Sequence, residues 1–230
     1  MSNNIEAWET KVYARGKQIN KYTWGEVYYY TNRYLLPQLD LRKRVNILEL
    51  GSGTGNNLSY FAGLGFNVYG IEASETACSI AREILAKFEN VESRVICGDF
   101  CEERLPFEDN FFDLALDRGS LTHNLSPRIK NALSESRRML KPQGLLFSIH
   151  FFSERDSRFG RGTEVEKGTF KDIGGHTFED VPQVHFSNLE QIREFYADFK
   201  LEFVEERLVK RFYPYENEEA ASFDIIARKP

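Results

Sequence analysis

Ile47-Leu48-Glu49-Leu50-Gly51-Ser52-Gly53-Thr54-Gly55-Asn56-Asn57 runs an apolar strand into three alternating glycines and opens a helix directly behind them. Val45–Leu50 is apolar apart from Asn46 and Glu49, the pattern of a parallel strand buried on both faces. Glycine lets the backbone turn sharply and lets a ligand approach main-chain N–H groups where a helix begins. A P-loop would carry Gly-Lys-Ser/Thr after its second glycine, and this stretch does not. The dinucleotide fingerprint Gly-x-Gly-x-x-Gly/Ala needs its third small residue where Asn56 stands; Gly55 comes one residue early. That spacing counts against a nicotinamide-dependent oxidoreductase.

Working outward, Asn56–Leu64 reads as a helix stopping at Gly65, Phe66–Ile71 as a second strand, and Glu75–Phe88 as a helix with Ser74 as N-cap. Arg94–Cys97 and Phe111–Leu116 read as the third and fourth strands. Ser126–Leu140 reads as a helix with Pro127 in its first turn and Pro142-Gln143-Gly144 beyond its end, and Leu145–Phe151 as the fifth strand. Strands alternating with helices predict a mostly parallel sheet covered on both faces. Asn188–Phe199 returns as a helix, and Leu201–Val209 with Ser222–Arg228 alternates like an antiparallel edge pair. Residues 26–36 predict a helix ending before Pro37, because a residue preceding proline avoids helical geometry. The segment 152–187 shows glycines, charges and aromatics but no clear period.

The order of motifs resembles the class I S-adenosylmethionine-dependent methyltransferases. Their first motif, acidic-x-Gly-x-Gly-x-Gly, is here Glu49-Leu50-Gly51-Ser52-Gly53-Thr54-Gly55. Strand two ends in Gly70-Ile71-Glu72, strand three in Cys97-Gly98-Asp99-Phe100, and strand four in Phe112-Asp113-Leu114-Ala115-Leu116-Asp117. Leu140-Lys141-Pro142-Gln143-Gly144 matches the turn into strand five, and His185-Phe186 is reminiscent of small-molecule members such as the tellurite-resistance group. The resemblance implies an α/β, Rossmann-like, seven-stranded mostly parallel sheet with helices on both faces and an antiparallel edge pair. It implies S-adenosyl-L-methionine as cofactor, bound by Gly51, Ser52, Gly53, Gly55, Glu72, Ala73, Asp99, Phe100 and Asp117. Glu72 would hold the ribose hydroxyls, Asp99 would meet the adenine amino group, and Phe100 would pack on the purine. Plainer readings stand beside these: a tight turn at the glycines, a helix-start carboxylate at Glu72, a turn residue at Asp99.

Methyl transfer is an in-line displacement, so alignment of the acceptor and exclusion of water matter most. An acceptor that must lose a proton also needs a base. His123, just beyond strand four in Asp117-Arg118-Gly119-Ser120-Leu121-Thr122-His123-Asn124, is the first candidate, with a loop-capping role as the alternative. Arg118 is positioned to hold an anionic acceptor or to pair with Asp117, and His150, His176 and His185 are candidates to face the acceptor. The Asn/Asp-Pro-Pro-Tyr motif of amino-methyltransferases acting on DNA bases or glutamine is absent after strand four. No metal-ligand cluster stands out.

Composition sets the remaining bounds. The 230 residues are 41% hydrophobic and 28% charged, which is globular rather than disordered. The expected organisation is one domain over 1–230, with 1–40 capping the cofactor site and 152–187 forming an acceptor-binding insert or lid. A net charge of −5 without a Lys/Arg tract lacks the footprint of a nucleic-acid binder. No signal-peptide pattern and no apolar stretch of bilayer length are read, and Cys78, Cys97 and Cys101 read as reduced thiols buried near the sheet, so a cytoplasmic protein without a membrane partner is expected. The leading expectation is methyl transfer to oxygen or nitrogen of a small molecule; a catalytically inactive cofactor-binding partner subunit and an NAD(P)-dependent oxidoreductase are the alternatives, with protein methylation a further possibility among enzymes. The acceptor and the oligomeric state are not legible.

Overall fold

The computed structural model describes residues 3–174, 180–213 and 218–230. The N-terminal segment coils through α1 (Asn3–Ala7) and α2 (Gly25–Tyr30) before the regular part begins. Beyond Tyr30 the helical path widens into a π turn, Thr31–Leu35, and closes in a 3-10 turn, Leu36–Gln38. The helix expected to end before Pro37 therefore ends earlier, at Tyr30, while the coiling passes through the proline. Pro37 sits at the start of its own turn, where a missing N–H costs nothing.

The regular part then alternates as expected: β1 (Asn46–Leu50), α3 (Asn56–Gly63), β2 (Asn67–Glu72), α4 (Glu75–Leu85), β3 (Ser93–Cys97), β4 (Phe112–Arg118), α5 (Ser126–Met139) and β5 (Leu140–Phe152). After β6 (Thr163–Glu166), β7 (Thr169–Lys171) and β8 (Val184–His185) come α6 (Leu189–Phe195), β9 (Lys200–Arg211) and β10 (Glu218–Arg228). The main sheet has seven strands in the order β3-β2-β1-β4-β5-β10-β9, with β10 antiparallel to both its neighbours. It is Rossmann-like, with an antiparallel edge.

Burial explains the order. In β1, Leu48 and Leu50 enter the apolar cluster on one face while Ile47 enters the cluster on the other, so this strand needs cover on both sides. α4 supplies part of that cover through Ala77, Cys78, Ala81 and Leu85, a stripe at helical spacing. Its start is fixed by Ser74, whose hydroxyl accepts from the Ala77 amide at 3.0 Å, a cap contributing about 1 kcal/mol.

Two further expectations are corrected. The aperiodic segment 152–187 contains a small antiparallel sheet, β6-β7-β8, whose two to four residues per strand are too few to display a period. Cys78 and Cys101 are buried, but Cys97, at the end of edge strand β3, is exposed. Among the described residues no helix is long and apolar enough to cross a membrane.

The strand order reverses between β1 and β4, and open α/β sheets bind ligands in the crevice outside the carboxyl ends at such a point. Gly51, Glu72's neighbour Ala73, Asp99 and Arg118 all lie at those ends.

Candidate active site

The turn after β1 is built from Gly51, Gly53 and Gly55, all in left-handed backbone (φ 65°, 53° and 79°). At Gly51 a side chain would also sit 2.6 Å from Ser120 Cβ. Glycine at this position is therefore required twice, by conformation and by space. The turn is locked by Glu72: Oε2 accepts from the Gly53 amide at 2.9 Å and Oε1 from the Ser74 amide at 2.8 Å. One carboxylate thus ties the glycine turn to the start of α4. Burial pushes the Glu72 pKa up, while these amide donors act against that rise.

Above the turn lies a cavity of about 400 Å³. Its floor is Glu49, Gly51, Ser52, Gly53, Glu72, Ala73, Asp99 and Phe100. Its far side is formed by Trp8, Trp24, Arg118, His123, His150 and Phe152, with Ile5, Tyr13, Gln18 and Asn20 lying over it. The N-terminal segment is fastened at two helix starts. Glu9 accepts from the Ser74 and Thr76 hydroxyls at 2.5 Å each, which holds its pKa down. Asn57 Oδ1 accepts from the Thr23 hydroxyl (2.9 Å) and the Trp24 amide (3.2 Å), while its Nδ2 donates to Glu49 Oε1 at 2.7 Å.

Seven of the nine expected cofactor residues line this cavity: Gly51, Ser52, Gly53, Glu72, Ala73, Asp99 and Phe100. Gly55 and Asp117 do not. Gly55 faces α4, where a side chain would lie 3.1 Å from Ala81 Cβ; it allows close helix packing rather than contact with a ligand. Asp117 is fully buried, and its Oδ1 accepts from the Ser120 and Leu121 amides at 2.8 and 3.0 Å. It shapes the loop after β4 from below, with its pKa raised to about 7 by burial. Asp99 is in place but engaged, its carboxylate 2.5 Å from the Arg128 guanidinium.

Of the acceptor candidates, Arg118 and His150 line the cavity and His185 does not. The His185 ring is fully buried beside Thr169, Nδ1 to Oγ1 2.7 Å, because both residues of β8 are buried where it pairs with β7. His176 falls outside the described residues. His150 takes a left-handed φ of 65°, at an irregularity in the pairing of β5 with β10. That turn is held by Asp224, which accepts the His150 amide at 2.9 Å, and by Ser222 Oγ, 3.2 Å from His150 Nδ1. His123 reaches the cavity with Nδ1 3.1 Å from the Gln183 carbonyl. A carbonyl only accepts, so Nδ1 carries the proton and the basic lone pair is on Nε2. Burial pushes both histidines down to about 4, which makes each a neutral hydrogen-bonding group and a weak base near neutrality.

Glu49, Asn57, Arg128 and Trp8 were not singled out as site residues from sequence. Glu49 had a visible signal as the acidic residue of the first glycine motif. Trp8 lies too far from the motifs in sequence for any spacing rule to attach it.

The residues present suit a charged, nucleoside-like cofactor. Glu49 Oε2, Ser52 Oγ and Thr54 Oγ1 are buried polar atoms without hydrogen-bond partners among the described residues, on residues that line the cavity. Beside them Phe100 and Trp8 offer apolar faces.

Residues 47–144 match a family model described as a methyltransferase domain. A demethylmenaquinone methyltransferase of Tropheryma whipplei (strain Twist) is 36% identical over 109 residues, 47% of this chain and 43% of that protein. The chain thus spans under half the length of this curated relative. Among solved structures, a SAM-dependent methyltransferase from Methanosarcina mazei superposes with a TM-score of 0.68 at 19% identity, covering 90% of this chain and 98% of that one. The 1,6-didemethyltoxoflavin-N1-methyltransferase of Burkholderia thailandensis, with 1,6-didemethyltoxoflavin and S-adenosylhomocysteine bound, gives 0.69 at 18% identity, covering 98% and 87%. Residues 47–144 are thus similar to a methyltransferase domain, and the chain shares the fold of the two solved methyltransferases.

Proposed function

We propose that the chain is a class I S-adenosylmethionine-dependent methyltransferase that moves the methyl group of S-adenosylmethionine to an oxygen or nitrogen of a small-molecule acceptor. The observation that carries the reading is the two-sided cavity at the strand-order reversal, polar and glycine-lined on one side, aromatic and cationic on the other. When bound, the cofactor supplies an electrophilic methyl group on sulfur. Glu72 would accept from the ribose hydroxyls and Asp99 with Phe100 would hold the adenine. The unpartnered Glu49 Oε2 would accept from the ammonium group; burial holds Glu49 up at about 8, so a cation there would draw its proton off.

In this reading residues 1–40 act as a cap and 152–187 as an acceptor-binding insert of a single domain. Trp8 and Tyr13 over the floor, and Val181 on the cavity wall, support those roles. A cavity of about 400 Å³ suits a cofactor with a small acceptor better than a polypeptide or a paired nucleic-acid strand. The acidic net charge of −5 also weighs against nucleic acid, and the free thiols fit a cytoplasmic setting.

Calorimetric titration with S-adenosylmethionine, S-adenosylhomocysteine and NADH tests the cofactor half. Release of S-adenosylhomocysteine across a panel of small hydroxyl, amine and ring-nitrogen acceptors tests the rest. Tight adenosyl-ligand binding with turnover on such an acceptor is expected; binding without turnover on any of them would sink the enzymatic reading.

A further inference from the structure

We propose that the acceptor is a planar ring carrying negative charge, held where two cavities meet by the guanidinium of Arg118 on the face of Trp24. The proposal rests on the methyl-transfer reading and names its substrate class. A second cavity of about 500 Å³ opens between α2, β5 and the β9–β10 pair, and it shares Arg118, His150 and Arg211 with the first. Three guanidinium groups border it, and two have carboxylate partners: Arg207 pairs with Glu26 at 3.0 Å, and Arg211 with Glu218 at 3.8 Å. Across the first cavity, Arg128 pairs with Asp99. Arg118 is the exception. It makes no ion pair among the described residues, and its buried Nε has no hydrogen-bond partner.

What it touches instead is an aromatic face: its Cζ lies 3.7 Å from the Trp24 ring centroid. That stacking orients the planar fork and leaves its edge available, the arrangement suited to a flat anion. Glu26, Asp117, Asp224 and Glu49 act on this cation through space, but none pairs with it directly, so its desolvation is only partly offset and an anion at the free edge of the fork adds the missing contact. The anion belongs to the acceptor rather than to the cofactor because Arg118 borders the second cavity, which no residue of the glycine turn lines. Phe152 and Trp8 supply further ring surfaces, at centroid distances of 6.1 and 5.1 Å from His123.

An ionised acceptor also suits the neutral histidines. Its lone pair forms the bond to the methyl carbon while the carbon–sulfur bond breaks and its electron pair stays on sulfur. No proton remains to be removed, so neither His123 nor His150 need act as a base; they position the ring by hydrogen bonding.

Both tryptophans of the chain line the first cavity, so intrinsic fluorescence reports occupancy directly. With S-adenosylhomocysteine saturating, the protein is titrated with salicylate, its neutral isostere salicylamide, and the non-planar anion cyclohexanecarboxylate. Salicylate is expected to bind at least about tenfold more tightly than either, the worth of one charge-assisted pair. Arg118→Gln should erase the preference over salicylamide and Arg118→Lys should keep part of it, both with S-adenosylhomocysteine affinity within about threefold of the parent. Salicylate binding no tighter than salicylamide, or not binding, overturns the proposal. So does a larger loss of S-adenosylhomocysteine affinity in Arg118→Gln, which would give the guanidinium to the cofactor's carboxylate. Failure of the unmodified protein to bind S-adenosylhomocysteine is a different result: it removes the methyl-transfer reading itself.

Discussion

The floor of the cavity takes Glu49, the glycine turn, Glu72 and Asp99 from the ends of three adjacent strands within about fifty residues of chain, whereas the far side gathers Trp8, Trp24, Arg118, His123, His150 and Phe152 from four separate segments. The floor is held by backbone amides converging on a carboxylate, as at Glu72. The far side is held mainly by side chains, through Asn57, Glu9 and ring contacts, with the Asp224 carboxylate taking the His150 amide. Backbone geometry repeats wherever the same turn occurs, so the floor follows from a local motif. Side-chain fastening depends on partners far away in sequence, and that is where an acceptor preference can change without disturbing the cofactor.

This contrast can be broken at its strongest point. Gly51→Ala forces a side chain against Ser120 in a left-handed backbone and is expected to cost on the order of 3 kcal/mol, read as a hundredfold or greater loss of S-adenosylhomocysteine affinity. Glu72→Ala removes the acceptor of two amides and the proposed ribose contact. Calorimetry should show a drop of about thirtyfold, with Glu72→Gln recovering part of it. If either variant bound S-adenosylhomocysteine like the parent, the floor would not be the cofactor site.

The far side is expected to respond more mildly. Asn57→Ala cuts the link from Glu49 to Thr23 and Trp24, so cofactor affinity should fall about tenfold and limited proteolysis should open sites within 13–24. Unchanged digestion would mean that the N-terminal segment is held by packing rather than by this bridge.

Acid acts on folding rather than on cofactor affinity, and it separates buried histidines from buried carboxylates. His185 is held down at about 4 by burial, against an ordinary value near 6.5. Between those values only the unfolded chain binds the proton, so this stabilisation is complete above pH 6.5 and is lost as pH falls toward 4, at about 1.4 kcal/mol per pH unit. Glu49 has the opposite sign. Its folded pKa, about 8, lies above the unfolded value, so its contribution is present below the unfolded value and is lost as pH rises through 8. Thermal unfolding across pH 4.5–8 should show His185→Gln flattening the acid limb and Glu49→Gln the alkaline limb. Identical profiles for the two variants would contradict that division.

Much of the floor was legible because its residues sit at fixed offsets from strand ends, and a strand end is visible where an apolar run meets glycine or an acidic residue. The exceptions are instructive. Asp117 has the expected position but turns its carboxylate to the amides of its own loop, and Gly55 opens toward α4 instead of the cavity. Both keep the position the motif assigns while facing the scaffold. On the far side Arg118 and His150 were anticipated as residues without their environment, and His185, expected to face the acceptor, is buried away from the cavity.

By itself the sequence determined the α/β alternation, the glycine turn and the carboxylates that follow each strand, because periodicity and turn chemistry are local properties of the chain. Only the tertiary structure decided that Trp24 lies beneath Arg118, that Asn57 joins the N-terminal segment to Glu49, and that His150 leaves the strand's regular path to line two cavities. Trp24 and Arg118 lie 94 positions apart and Thr23 and Asn57 lie 34 apart, and the existence of such contacts depends on how the packed layers close around the sheet, which no spacing rule encodes.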